Sequence, residues 1–194
     1  MLVRDVMTSP AVTIAPDLAL RRVAQLLDRH AITAVPVVDQ GNRLVGLVSE
    51  ADLVLDSVPP DARTGALRER AARGPWVTRA ADVMTFDPVS VDPAADLAEA
   101  ERLMTSRSVK SLPVVDEGVV VGVVSRRDVV HVLARGDDAI AADVAELLHG
   151  VEPDWRIAVE EGVVLAEGPD DEHAREAVRR LVTGVPGVTA VRFR

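Results

Sequence analysis

Asp5-Val6-Met7-Thr8 returns 77 positions later as Asp82-Val83-Met84-Thr85, and the stretches that follow the two copies match as well. A proline comes next (Pro16, Pro93), then a helical run, then Val35-Pro36-Val37-Val38-Asp39 or Leu112-Pro113-Val114-Val115-Asp116. Each copy closes on a glycine, a serine and an aspartate at one spacing: Gly46-Leu47-Val48-Ser49-Glu50-Ala51-Asp52 and Gly122-Val123-Val124-Ser125-Arg126-Arg127-Asp128. The offset shortens to 76 in the turn before the glycine. Two copies of so long a period exclude a solenoid or an array and predict a tandem pair of small α/β domains.

Periodicity fills in each copy. A short β segment (residues 11–14, 89–91) leads to the proline, which suits the first turn of a helix or the turn just before it. Apolar residues then recur near every 3.6 positions, at Leu20, Val23, Ala24 and Leu27 and at Leu97, Ala100, Leu103 and Met104. A buried strand (34–38, 112–115), a polar turn and a second apolar strand (44–48, 119–124) follow. A helix begins near Ser49 or Ser125. The order β-α-β-β-α, twice, predicts two sheets with helices on one face. The expected divisions are repeat 1 at 1–58, a linker at 59–79, repeat 2 at 80–135 and a third domain at 137–194. Pro59-Pro60, Gly65 and Gly74-Pro75 break the linker around a short basic helix at 66–73, and Trp76 is expected to pack it down. The third domain reads α-β-β-α-β: a helix through Ile140, Val144, Leu147 and Leu148, strands at 155–159 and 163–167, a helix at 171–183 and a last strand at 188–193. The fold class is therefore α+β throughout.

Composition narrows the function classes. Only 2% of the residues are aromatic, so the core is built from Val, Leu, Ile and Ala. There is no cysteine, which removes disulfides, thiolate metal sites and a cysteine nucleophile. The first residues lack a signal-peptide pattern, and no apolar run is long enough to span a bilayer, so a soluble cytoplasmic protein is expected. Residues 1–135 carry 16 basic and 18 acidic side chains, whereas residues 136–194 carry 6 and 13. An acidic tail repels phosphate backbones and anionic lipid, which argues against nucleic acid and against a membrane surface. His30, His131, His149 and His173 have no ligand spacing, and Asp170-Asp171-Glu172 reads as an acidic helix start. No phosphate loop, dinucleotide fingerprint, nucleophile elbow or acid–base pair stands out. Catalysis is not expected.

The repeated chemistry is Gly-x-x-Ser-x-x-Asp. One reading is a capping box, with the serine hydroxyl accepting from a backbone N–H and the aspartate returning the bond. The other is a ligand site, since a carboxylate can accept from both hydroxyls of a ribose while a helix N-terminus favours an anion. Residues alone leave both open.

The repeats resemble cystathionine-β-synthase (CBS) motifs, whose pairs form the Bateman module. The Val-Met-Thr start, the apolar-Pro-Val-Val-Asp strand and the Gly-x-x-Ser-x-x-Asp junction carry the resemblance over residues 1–134. Residues 137–194 are similar to a BON domain in the helix at Ile140, the Gly162-x5-Gly168 hairpin and the Val185-Pro186-Gly187-Val188 ending. Ala166 stands where that family carries an apolar residue on the face of the second glycine, with Leu165 one place earlier. The first resemblance implies a pseudo-twofold pair, a homodimer and two adenosyl sites. Asp128 would anchor one, with Ser125, Arg126, Arg127, Lys110, Ser111, Val109 and Pro113. Asp52 would anchor the other, with Ser49, Ile32, Thr33, Ala34 and Pro36. The Asp128 site is preferred because phosphates need cations and hydroxyls, and Glu50 opposes them beside Asp52. Lys110 could serve either site across the pair. The expected ligand is AMP, ADP, ATP or S-adenosylmethionine, with no tightly bound cofactor and a protein partner of unknown identity. The rivals are an interaction scaffold with vestigial sites and a phospholipid-associated protein acting through the BON-like tail.

Overall fold

A computed structural model describes residues 1–57, 78–150 and 155–194, with the backbone alone for 55–57. The predicted linker breaks, the helix at 66–73 and Trp76 lie outside the described residues. The rest divides into two compact units. One holds Met1–Met7, Ala94–Arg102 and Val124–Arg194; the other holds Thr8–Pro93 and Leu103–Val123.

In the second of these units α1 (Leu20–His30) packs on the hairpin of β1 (Ala34–Val38) and β2 (Leu44–Ser49), which leads straight into α2 (Glu50–Ser57). Val23 and Leu27 of α1 are buried against Val35, Val37 and Val48 of the strands and Leu53 of α2. The helix stops at Ala31, in the left-handed region at φ 51°, whose N–H reaches back to Leu27 and Asp28. Pro16 occupies the turn before α1, not its first turn.

The expected strands at 11–14 and 89–91 are corrected to single parallel bridges, Ile14 to Val37 and Val91 to Val114. The reason is a missing donor. Ile14 donates to the Pro36 carbonyl and accepts from Val38 N–H. The next rung would need an N–H from Pro36, which has none. Pro113 truncates the second copy in the same way.

The start of each repeat is exchanged with the other. Thr85–Phe86 form β3, antiparallel to Gly46 and Leu47 of β2. Ala80 and Ala81 donate to Leu18 and Pro16, and Leu20 donates to Thr78. Ala80, Val83 and Met84 therefore join the core of repeat 1. A glycine at position 46 lets this approach be close: an added Cβ would sit 3.1 Å from the Thr85 carbonyl oxygen and closer still to the Met84 side chain. Reciprocally, Thr8 exchanges both backbone bonds with Val123. In the other unit Val3 donates to Ala95, and Leu97 to Met1, at the start of α3 (Leu97–Ser106). The hairpin of β4 (Ser111–Asp116) and β5 (Val119–Ser125) is the second copy of β1 and β2, and α4 (Arg126–Leu133) follows it.

The tail has its own core. Helix α5 (Asp137–His149) and helix α6 (Glu172–Thr183) cover a sheet ordered β6 (Arg156–Glu160), β7 (Val163–Glu167), β8 (Ala190–Phe193). β6 and β7 are antiparallel, while β8 runs parallel to β7 after the α6 crossover. Ile140, Val144, Leu148, Trp155, Val178 and Val182 are buried with Val164 and Ala166 of β7. The phase of β7 is thus settled: Ala166 faces the core and Leu165 is only half-buried. Gly168 has no room for a Cβ under the indole of Trp155. Trp155 also meets Phe193 edge-on, with centroids 5.4 Å apart.

Candidate functional site

The two serine–aspartate junctions have one geometry. Asp52 Oδ2 accepts from the Ser49 N–H and the Ser49 hydroxyl, both at 2.7 Å. Asp128 Oδ2 accepts from Ser125 N–H and hydroxyl at the same distances. The carboxylate bonds back to the strand end, as the capping reading expects, and the serine hydroxyl adds a second bond by donating to it. Both bonds fall on one oxygen, so Oδ1 of each aspartate carries the acceptor capacity left over. Both aspartates are half-buried.

A cavity of about 380 Å³ opens beside Asp52. Ligand pockets run from about 300 to 1,000 Å³, so it has room for a small molecule at the lower end of that range. Thr33, Ala34, Ser49 and Asp52 line it from repeat 1. Val109, Lys110 and Ser111 line it from repeat 2, where Arg107 N–H closes the end of α3 on the Leu103 carbonyl and Val109 N–H reaches Met104. Ser111 is the one buried polar side chain among the described residues, 5% exposed at the start of β4. Lys110 Nζ lies 3.7 Å from Glu50 Oε2, both side chains half-exposed or more.

The predicted groupings change accordingly. Val109 and Ser111, expected with Asp128, line the cavity that holds Asp52, and so does Lys110, which was open to either site. The sequence groups residues within a repeat, whereas the fold brings the start of β4 to the first repeat's junction. Ser125, Arg126, Arg127 and Asp128 belong to the other unit, where Arg126 and Arg127 are exposed in the first turn of α4. Pro36 and Pro113 are buried within β1 and β4. Ile32 opens on a different hollow, with Leu27, Leu53 and Val54. The sequence reading missed Arg107, Asp87 and the apolar wall of Leu47, Pro88 and Val89. Only the exchange of repeat starts carries Asp87 there, and a single sequence contains no sign of that exchange. Among the described residues no three His, Asp or Glu gather in a way that could hold a metal ion, and no helix is long and apolar enough to cross a membrane.

A pair of α-β-β-α repeats with a serine–aspartate junction in each defines a class. Residues 3–57 and 80–135 match the CBS domain, more than half of the chain, and the chain belongs to the CBS domain family. It is 32% identical over 126 residues to the CBS domain-containing protein YhcV of Bacillus subtilis, an alignment covering 65% of this chain and 81% of the relative. Among solved structures, CBSX2 in complex with AMP is 28% identical with a TM-score of 0.56, over 67% of this chain and 93% of that one. The CBS domain pair of protein MJ0100, in complex with 5′-methylthioadenosine and S-adenosyl-L-methionine, shares the fold. Its TM-score is 0.55 at 22% identity, over 68% of this chain and 94% of that one.

Proposed function

We propose that this chain is a non-catalytic regulatory protein that binds an adenosyl ligand, from the set AMP, ADP, ATP and S-adenosylmethionine, in the cavity at Asp52. The observation that carries the reading is one cavity bordered by the strand starts of both repeats, with a helix-capping carboxylate in its wall. The ribose hydroxyls would bond Asp52 Oδ1, and the base would lie against Thr33 and Ala34 or Val109 and Ser111, whose backbone groups can read its edge. Asp128, with Ser125, Arg126 and Arg127, is the second anchor. AMP in CBSX2, and the two adenosyl compounds in the MJ0100 pair, support this choice of ligand class.

The repeats pack as a pseudo-twofold pair, and the chain acts as a cytoplasmic homodimer with a protein partner. Val54 on α2 and Val130 and Leu133 on α4 are all at least 60% exposed, apolar side chains available for such a contact. The tail is a BON-like module that receives the signal. Ligand shifts the equilibrium only by its differential affinity for the two states. No tightly bound cofactor is part of this reading. The acidic tail does not favour phospholipid.

The rival is a scaffold in which the junctions serve as helix caps alone, favoured by the capping bonds already present at both aspartates. Melting the wild type, Asp52→Ala and Asp128→Ala with and without millimolar ligand separates the two. A ligand at 100 Kd adds about 2.7 kcal/mol to native stability. A shift lost in Asp52→Ala supports the sensor. Lower stability in the variants with no shift in any protein supports the scaffold.

A further inference from the structure

We infer that the Asp52 cavity sorts adenosyl ligands by charge, accepting those with at most one phosphate and disfavouring the di- and triphosphate, with Glu50 as the discriminating residue. The inference rests on the adenosyl reading above and goes beyond it in naming which members of the set bind.

Five charged side chains line the cavity: Glu50, Asp52 and Asp87 against Arg107 and Lys110. Carboxylates outnumber cations, and one of the two cations is already turned to Glu50 at 3.7 Å. An uncharged adenosyl group meets no repulsion and leaves that pair intact. A monophosphate is matched by Arg107 and Lys110 together, at the cost of detaching Lys110 from Glu50. A second and a third phosphate bring further negative charge, and among the described residues no third cation lines the cavity to meet it. Glu50 then stands unpaired beside the chain of phosphates, where like charges a few ångströms apart repel. Glu50 and Lys110 are 50% and 69% exposed as side chains, so the repulsion is screened and must weaken with salt. The glutamate sits between Ser49 and Asp52 in the first turn of α2, a position fixed by the same junction that fixes the ribose anchor.

Isothermal titration of the full chain with adenosine, AMP, ADP and ATP, without divalent metal and at low and high salt, tests this. The expected result is ATP binding about tenfold more weakly than AMP at low salt, a gap that narrows at high salt. In Glu50→Gln the gap closes to about threefold or less, because ATP gains more than AMP. A thermal melt of the variant confirms that it is folded. ATP binding as tightly as AMP, or a gap unchanged in Glu50→Gln, overturns the charge sorting and leaves the adenosyl reading standing. Absence of binding by all four compounds overturns both.

Discussion

Among the described residues, four aspartates accept the backbone N–H of the residue three places earlier: Asp5 from Leu2, Asp52 from Ser49, Asp82 from Arg79 and Asp128 from Ser125. The motif aspartate is thus first a device for starting a helical turn, and what it can do beyond that depends on what lies beside it. Asp52 borders a cavity. Asp82 accepts a second N–H, from Thr78, at 2.9 Å. The Thr78 bond, then the Arg79 bond, holds the carboxyl below its ordinary value of 3.8, against an opposing desolvation and with the Arg79 charge helping. A folded-state pKa below the unfolded one means that the charged form favours folding. That contribution is complete above the ordinary carboxylate range and disappears as pH falls through the lowered folded value. Urea denaturation of wild type and Asp82→Asn should therefore show the wild type more stable at pH 7, with the difference closing on acidification below pH 3.8. A difference independent of pH would mean that the charge plays no part.

Between elements, the tail's hairpin is held by a side chain from the first turn of α5. Asp137 opens α5, and its two oxygens accept the N–H groups of Glu161 and Gly162 in the β6–β7 turn at 2.8 and 2.9 Å. Asp137→Ala leaves two turn amides without an acceptor, a loss of about 1.5–3 kcal/mol for a charged acceptor, measurable as a lower denaturation midpoint. Asp138→Ala, one residue on and exposed, is the control that should change little. Periodicity made the helices and hairpins legible, because burial of Val23 and Leu27 follows from spacing alone, whereas the inward face of β7, with Val164 and Ala166, came from the packing of the tail. The exchange of repeat starts was not legible. Met7 and Met84 sit in identical tetrapeptides, so nothing local says that Met84 packs on Gly46 of the other copy. The site divides in the same way. Ser49, Asp52, Thr33 and Ala34 follow from the motif, whereas Lys110 and Ser111 were found by chemistry and line the cavity at Asp52. Arg107 and Asp87 depend on tertiary packing and had no signal.

For the molecule as a whole, the proposed signal has a thermodynamic consequence that can be measured from its far end. The residues lining the Asp52 cavity all fall in one unit, and the tail falls in the other. If occupancy of the cavity alters the tail, then altering the tail must alter affinity at the cavity by the same factor, because binding linkage is reciprocal. Arg135 is the place to act. It lies between α4 and α5, donates to the Pro186 carbonyl at 2.8 Å and pairs with Asp143, so it ties the end of repeat 2 to the tail. Arg135→Ala removes both bonds and touches nothing in the cavity. Coupling energies of about 1–3 kcal/mol correspond to roughly 5- to 150-fold in affinity. The expected result is an adenosyl dissociation constant changed at least about fivefold in Arg135→Ala, by titration calorimetry on folded protein. An unchanged constant would separate sensing from the tail, and the output would then have to pass through the repeats' own exposed helices to a second protein.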